Sequence, residues 1–377
     1  MPVLNFLTTC FFDAGALMQL PKAVANLGIT RPFIVTDPGI KAVGILAKVE
    51  DALGMPAAGV FAETVPNPLE SQAKLAAAAY KECGADGLIA VGGGSSMDHA
   101  KAIGLLVSHP DPLETYAAIT GGAKKIKKIP PLIAIPTTAG TGSEVSVGLI
   151  STLENGRKET IVSPNLIPSI AICDPELTLG LPAGLTAATG MDAVTHCIEA
   201  VLTPAINPPA EGIGYDGVYR AIGDGWLKKA VQDGSDPDAR WHMMMASYEG
   251  ALAFVKGLGG VHALSHGAGR LHEKKLHHGT LNAIFLPHIL RFHEGAADAK
   301  YARLREAMRL KEGADLADAI ARLNEDLGLP STLKEIGLGM EDAQGIVDFA
   351  LEDLAHSGNP KPMEADDYAK VYEAALG

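Results

Sequence analysis

Seven of the chain's twelve histidines fall between positions 262 and 293. Within that stretch GGVHALSH (259–266) places His262 and His266 four residues apart, and upstream GMDAVTHCIEA (190–200) places Asp192 and His196 at the same spacing. On a helix, residues four apart lie on one face about a turn from each other. Each segment therefore offers two ligating side chains on a single face. One carboxylate with several imidazoles suits a first-row divalent ion and leaves an open position for a substrate oxygen. A lone pair at this spacing is more often packing or solvent-facing, but two pairs in glycine-containing apolar segments point to metal binding. Spacing alone does not choose between His262 and His266, nor between His277 and His278.

A second chemistry is written in glycines and hydroxyls. The apolar run GLIAV (87–91) is followed by Gly92-Gly93-Gly94-Ser95-Ser96-Met97-Asp98 and then a helical stretch over His99–Val107. Glycines at the end of a strand let backbone approach a ligand without Cβ clashes, and the next helix offers free N–H groups to a phosphate. This is neither GxGxxG nor a Walker A sequence, and a plain tight turn capped by Ser96 or Asp98 would read the same way. A second buried strand, Leu132–Ile135, leads into Pro136-Thr137-Thr138-Ala139-Gly140-Thr141-Gly142-Ser143-Glu144, again hydroxyl-rich and open. Ligands of open α/β sheets bind at that edge. Asp37, after Phe33–Thr36, is placed to accept from ribose hydroxyls and to repel a 2′-phosphate, which favours NAD over NADP; because Pro38-Gly39 follows, a turn role is an equal reading.

The elements that must hold these groups divide the chain in two. Residues 1–180 alternate short apolar strands (Phe33–Thr36, Ala58–Ala62, Leu88–Val91, Leu132–Ile135, Ile170–Cys173) with helical patterns, the grammar of a parallel sheet covered by helices. Asn155-Gly156 between Leu149–Leu153 and Lys158–Val162 predicts an inserted β-hairpin. Residues 181–377 read as helices only, among them Leu185–Leu202, Gly217–Val231, Ala239–Lys256, Ala297–Leu310 and Leu316–Leu327. An α/β Rossmann-like N-terminal domain and an all-α C-terminal domain are expected, with a cleft between them.

The 377 residues carry 44 acidic and 31 basic side chains, a net charge of −13, which argues against nucleic acid as a partner. No apolar run approaches the roughly 20 residues that span a bilayer; Leu181–Leu202 is interrupted by Asp192, His196 and Glu199. The N-terminus MPVLNFLTTCFFDAG is a poor secretory signal. The four cysteines, Cys10, Cys83, Cys173 and Cys197, form no CxxC pair, so a reduced cytoplasmic protein is expected.

With these segments assembled, the chain resembles the iron-containing (group III) alcohol dehydrogenase family nearly end to end. The resemblance rests on GGGSSMDHAKA (92–102), PTTAGTGSEVS (136–146), SPNLIPSIAICDPELT (163–178), GMDAVTHCIEA (190–200), GGVHALSH (259–266) and HHGTLNAIFLPHILRF (277–292). It implies the dehydroquinate synthase-like architecture of that family, with Asp192, His196, His262 and His278 as metal ligands and His266 beside the nicotinamide. It further implies Gly93, Gly94 and Ser95 at the pyrophosphate with Asp98 just beyond, Thr137, Thr138, Thr141 and Ser143 in the second cofactor loop, Lys158 in contact with the cofactor, and Asp37 at the position associated with NAD. The segment Gly267–His277 is about two residues longer than in many relatives and lacks a proline common there. His278 is preferred to His277 because Gly279 follows it.

The activity implied is reversible hydride transfer between NAD (NADP being possible) and a small alcohol or aldehyde, with one divalent ion, Fe²⁺ or Zn²⁺, and a homodimer as the expected assembly. One aspartate and three neutral imidazoles leave a divalent site at about +1, which favours the deprotonated alcohol, and His266 is available to relay a proton to solvent. The alternatives are a reductase of an acid-bearing substrate, of the hydroxyacid–oxoacid or maleylacetate type, a glycerol-type dehydrogenase or dehydroquinate-synthase-like lyase, and a cofactor- or metal-binding protein without turnover.

Overall fold

The structure, a computed structural model, describes residues 8–377; residues 1–7 of the N-terminus discussed above lie outside the described residues. The chain forms two units: one runs to Thr138 and includes Gly142–Thr178, and the other comprises Ala139–Thr141 with Leu179–Gly377.

The strands of the first unit are β1 (Thr9–Phe12), β2 (Pro32–Val35), β3 (Gly59–Phe61), β4 (Gly87–Gly92), β5 (Leu132–Pro136), β6 (Gly148–Thr152), β7 (Lys158–Val162) and β8 (Ile170–Cys173). Six of them form a parallel sheet in the order β1-β8-β5-β4-β2-β3, while β6 and β7 make the separate antiparallel hairpin. Five helices belong here: α1 (Leu20–Asn26), α2 (Pro38–Ala42), α3 (Ile45–Leu53), α4 (Glu70–Glu82) and α5 (Gly94–Ser108). Successive strand residues face opposite sides, and both sides are apolar. Phe33, Leu88, Ala90, Leu132 and Ala134 pack with α4 and α5, while Ile34, Ile89, Val91, Ile133 and Ile135 pack with α1 and α3. The chain leaves β2 and β4 toward opposite edges of the sheet, so their carboxyl ends flank a topological switch point, where open α/β sheets bind ligands. Asp37 follows β2 and the glycine run closes β4. Strand β1 has no counterpart among the sequence expectations. It is a four-residue, partly exposed edge strand whose partner, β8, lies about 160 residues on (Thr9 opposite Ile170).

The second unit is helical: α6 (Ala183–Leu202), α7 (Pro208–Val218), α8 (Trp226–Gln232), α9 (Pro237–Ala253), α10 (Gly260–Ala268), α11 (His278–His293), α12 (Asp298–Ala307), α13 (Leu316–Asp326), α14 (Ala343–Glu352) and α15 (Ala365–Leu376). Seventeen of the twenty residues of α6 are buried, so this helix is the unit's axis rather than an amphipathic surface helix. The single helix expected over 217–231 is instead broken. A π turn spans Tyr219–Gly223, and Gly225 takes a left-handed φ of 75° before α8 begins. Among the described residues no helix is long and apolar enough to cross a membrane.

Behind α6, Glu249 of α9 lies buried beside Asp216 and Arg220; Arg220 Nε donates to both acids at 2.8 and 3.1 Å. Burial, reinforced by Asp216, pushes the Glu249 carboxyl up to about 8. Its folded pKa exceeds its unfolded value, so the folded chain binds the extra proton between roughly 4.5 and 8, and stability falls as pH rises through that window. Glu249→Gln is expected to remove part of that fall, each tenfold difference in proton affinity between folded and unfolded chain being worth about 1.4 kcal/mol. Thermal midpoints of both proteins at pH 6 and pH 9 should converge at the lower pH, with the variant higher at pH 9. Parallel curves would show that Glu249 is already ionised at neutral pH.

Candidate metal centre and cofactor-binding edge

In the helical unit, Asp192, His196 and His262 converge with ligand atoms all within 4.8 Å of one another. From Asp192 Oδ1 the Nε2 atoms of His278, His196 and His262 lie at 3.6, 3.8 and 3.8 Å. Donors about 2.1 Å from a common tetrahedral ion would stand about 3.4 Å apart, so each imidazole is slightly wider of Asp192 than that. The group within 4.8 Å of one another comprises Asp192, His196 and His262, with His278 beside Asp192. The local folding that produces this arrangement is simple. Asp192 and His196 share one face of α6, His262 comes from the first turn of α10, and α11 begins at His278. Gly279 is what lets α11 start there, because a Cβ on it would sit 2.1 Å from the Ala188 carbonyl oxygen of α6. His277, one residue earlier, is exposed ahead of the first turn.

The donor set fits a divalent cation. His196 Nδ1 donates to the Gly140 carbonyl (3.2 Å) and His262 Nδ1 to Glu199 Oε2 (2.6 Å), which leaves both Nε2 atoms as bare lone pairs aimed at a carboxylate oxygen. Burial, aided by His196 and His266, holds His262 well below the usual imidazole value, so it is neutral, as a ligand must be. Asn282 Nδ2 also reaches these acceptors, lying 2.7 Å from Asp192 Oδ1, 3.2 Å from His278 Nε2 and 3.4 Å from His262 Nε2. Its own Oδ1 is buried without a partner. His266 stacks on His278 (centroids 5.3 Å, 13°) and donates through Nδ1 to Asp353 Oδ2 at 3.0 Å. Although burial opposes it, His266 and the Ala355 N–H hold the Asp353 carboxyl below its ordinary range.

At the carboxyl edge of the sheet, β4 ends in Gly92 with φ 143°, where a Cβ would meet Ser96 Oγ at 2.5 Å. Helix α5 then starts at Gly94, five residues earlier than expected, with Gly93 as its N-cap and no side-chain cap. Ser96 and Asp98 therefore do not cap it. Ser96 Oγ instead donates to Asp37 Oδ2 (3.2 Å), and Asp37 Oδ1 accepts from Ile40 N (3.0 Å). One acid thus ties the ends of β2 and β4 together. Thr137 N donates to the Gly92 carbonyl (3.0 Å), and Thr138 lies within 3.4 Å of a Cβ built on Gly93. Ala139–Thr141 belong to the helical unit, so Thr141 falls in a different unit from Thr137, Thr138 and Ser143. Ser143 Oγ donates to Asp98 Oδ1 (2.6 Å), and Asp98 Oδ2 accepts from Ile150 N (3.0 Å). Lys158 Nζ donates to Asn67 Oδ1 (2.6 Å).

Four residues that sequence reasoning missed hold these groups: Lys101, Glu199, Asn282 and Asp353. Two carried a signal. Glu199 continues the stripe of Asp192 and His196 on an otherwise apolar helix, and Asn282 is four residues after His278. Asp353 is 87 residues from His266 and carried none.

The first unit carries a glycine-closed parallel sheet and the second an Asp–His cluster able to hold a metal ion; comparison with known proteins supplies the class. The iron-containing alcohol dehydrogenase model matches residues 8–175, and the model of that family's C-terminal region matches residues 186–376. The chain is 49% identical to a 4-hydroxybutyrate dehydrogenase of Cupriavidus necator over the full length of both, and 34% identical to the lactaldehyde reductase of Escherichia coli K12 with 97% of each covered. Its fold is similar to a crystal structure of a 1,3-propanediol oxidoreductase (TM-score 0.93, 32% identity, 100% of both chains). It is also similar to the NAD⁺ complex of a sulfoacetaldehyde reductase from Bifidobacterium kashiwanohense (TM-score 0.90, 27% identity, covering 100% of this chain and 99% of that one). The chain belongs to the iron-containing alcohol dehydrogenase family and is an oxidoreductase of the alcohol dehydrogenase type.

Proposed function

We propose that this protein transfers a hydride reversibly between NAD and the terminal alcohol of a short hydroxycarboxylate of the 4-hydroxybutyrate class, at a divalent ion held by Asp192, His196, His262 and His278. The observation that carries the reading is the convergence of three imidazole Nε2 atoms on Asp192 Oδ1. The substrate class is supported by full-length similarity to a 4-hydroxybutyrate dehydrogenase. When bound, the ion would supply Lewis acidity to the alcohol oxygen and the nicotinamide a hydride acceptor.

The protein's own groups do the rest. Asp192 contributes the charge of the ligand set, and Glu199 and Gly140 aim two of its imidazoles. His266, fixed through Nδ1 by Asp353, keeps Nε2 available to take the alcohol proton and pass it on. Gly92–Gly94 and the uncapped start of α5 would take the pyrophosphate, with Ser95, Thr137, Thr138, Thr141, Ser143 and Lys158 around the nucleotide and Asp98 setting the loop behind it. The carboxylate of Asp37 disfavours a 2′-phosphate. A cytoplasmic homodimer is the assembly proposed.

The test is a substrate and cofactor panel on protein of measured metal content. kcat/KM for 4-hydroxybutyrate with NAD is expected to exceed that for 1-butanol and 1,3-propanediol by about tenfold or more, equivalent to ~1.4 kcal/mol in the transition state, and to exceed that with NADP. Equal or faster turnover of the uncharged alcohols would return the substrate class to simple alcohols and aldehydes.

A further inference from the structure

Glu199 belongs to neither the ligand set nor the sheet edge, yet it is buried among the ligands. It projects from α6, seven residues after Asp192 and three after His196, and meets the start of α10. There Oε1 accepts from Val261 N (2.8 Å), and Oε2 accepts from His262 N (3.3 Å) and His262 Nδ1 (2.6 Å). The neighbouring Gly260 N–H is taken by Asn359 Oδ1 (2.8 Å).

We propose that Glu199 is a positioning residue for metal binding: it holds the His262 proton on Nδ1, so that Nε2 is an open donor, and it clasps the helix that carries His262 to the helix that carries Asp192 and His196. The inference rests on the ligand set proposed above. Burial pushes the Glu199 carboxyl up to about 7, opposed by the backbone N–H groups of Val261, Gly259 and His262. As a carboxylate it only accepts, and facing Nδ1 it admits one neutral tautomer and strengthens the opposite nitrogen as a ligand. The same carboxylate satisfies two backbone donors at a helix N-terminus, where negative charge is favoured. A single side chain therefore sets both where His262 stands and which of its nitrogens is bare.

Glu199→Gln separates these two tasks from mere space-filling. With its amide nitrogen toward His262, the glutamine donates to Nδ1, and the ring proton moves to Nε2. With its carbonyl there instead, the amide N–H₂ confronts the Val261 N–H. In the full-length variant, stripped of metal and reloaded, Zn²⁺ affinity by chelator competition should fall on the order of 10- to 100-fold. Glu199→Asp, which keeps the charge on a shorter arm, should recover part of the loss. In the metal-free wild type, ¹⁵N NMR should show the Nδ1–H tautomer for His262, assigned as the signal lost in His262→Gln.

A wild-type Nε2–H tautomer overturns the proposal even if no Glu199 variant folds. So does Zn²⁺ affinity within twofold of wild type in a folded Glu199→Gln protein, since a merely structural glutamate would lower the melting temperature and leave affinity and tautomer alone. Wild-type protein that takes up no Zn²⁺ removes the ligand set itself, a different failure from wild-type uptake matched by Glu199→Gln.

Discussion

His278→Ala is expected to lose bound metal and turnover together, while His277→Ala keeps both within a few-fold of wild type. The two histidines are adjacent in sequence but differ in what the chain does next. Helix α11 begins at His278, whose Nε2 stands 3.6 Å from Asp192 Oδ1, whereas His277 precedes the first turn and is exposed. Structural Zn²⁺ sites with four protein ligands are worth about 10–16 kcal/mol. Losing one ligand of four removes roughly a quarter of that, about 3–4 kcal/mol, or on the order of 10²- to 10³-fold in affinity. Turnover measured at sub-saturating metal should fall at least as far. Excess metal should rescue His278→Ala only in part, because the lost ligand also fixes the geometry of the other three. Metal content after gel filtration and kcat/KM at fixed metal decide the matter. If His277→Ala were the variant that loses its metal, the ligand set would have to be redrawn around the exposed ring.

Spacing alone does not make that choice, which comes from the family resemblance and the Gly279 that follows His278. Period-four spacing put Asp192 with His196 and His262 with His266 on shared faces, and both pairs do sit on helices. Yet within the second pair only His262 points its Nε2 at Asp192, while His266 turns to Asp353. Which member faces Asp192 depends on partners from other helices, and no local pattern carries that. The same holds for β1, whose neighbour in the sheet is about 160 residues away, and for the break between α7 and α8, where the apolar spacing of 217–231 runs on through the left-handed Gly225. What was legible was local: the glycine run after a buried strand, the Asn155-Gly156 hairpin, and the change from alternating to purely helical grammar near position 180. Asp98 shows the intermediate case. Its place beside the glycine turn was evident, but both its oxygens face the protein, toward Ser143 and the Ile150 N–H.

Lys101→Met is expected to destabilise the sheet unit by about 1–3 kcal/mol, the cost of leaving buried acceptors unsatisfied, and to weaken NAD binding. Lys101 is fully buried on α5, where its Nζ donates to Ser143 Oγ (2.9 Å), Ser146 O (3.2 Å), Ser146 Oγ (3.1 Å) and Gly148 O (2.7 Å). Methionine preserves the length of the side chain and removes the ammonium that donates all four bonds. It also leaves Asp98, which burial pushes up, without the Lys101 charge that pulls it down. The segment that loses its anchor is the stretch after Thr137–Thr138 and the first strand of the hairpin, so a looser loop should raise the Kd for NAD more than it changes kcat. A second substitution tests the cause. Asp98→Asn removes the stranded charge, so the double variant should be less destabilised than the sum of the two single ones, by about 0.5–3 kcal/mol for groups in one network. Strict additivity would mean that Lys101 acts through its hydrogen bonds alone. pH gives an independent reading. Burial pushes Lys101 down to about 8 from 10.5, so between those values the unfolded chain binds more protons and this group makes stability rise with pH. That rise should be present in wild type and absent in Lys101→Met, a sign opposite to the fall that Glu249 imposes at lower pH.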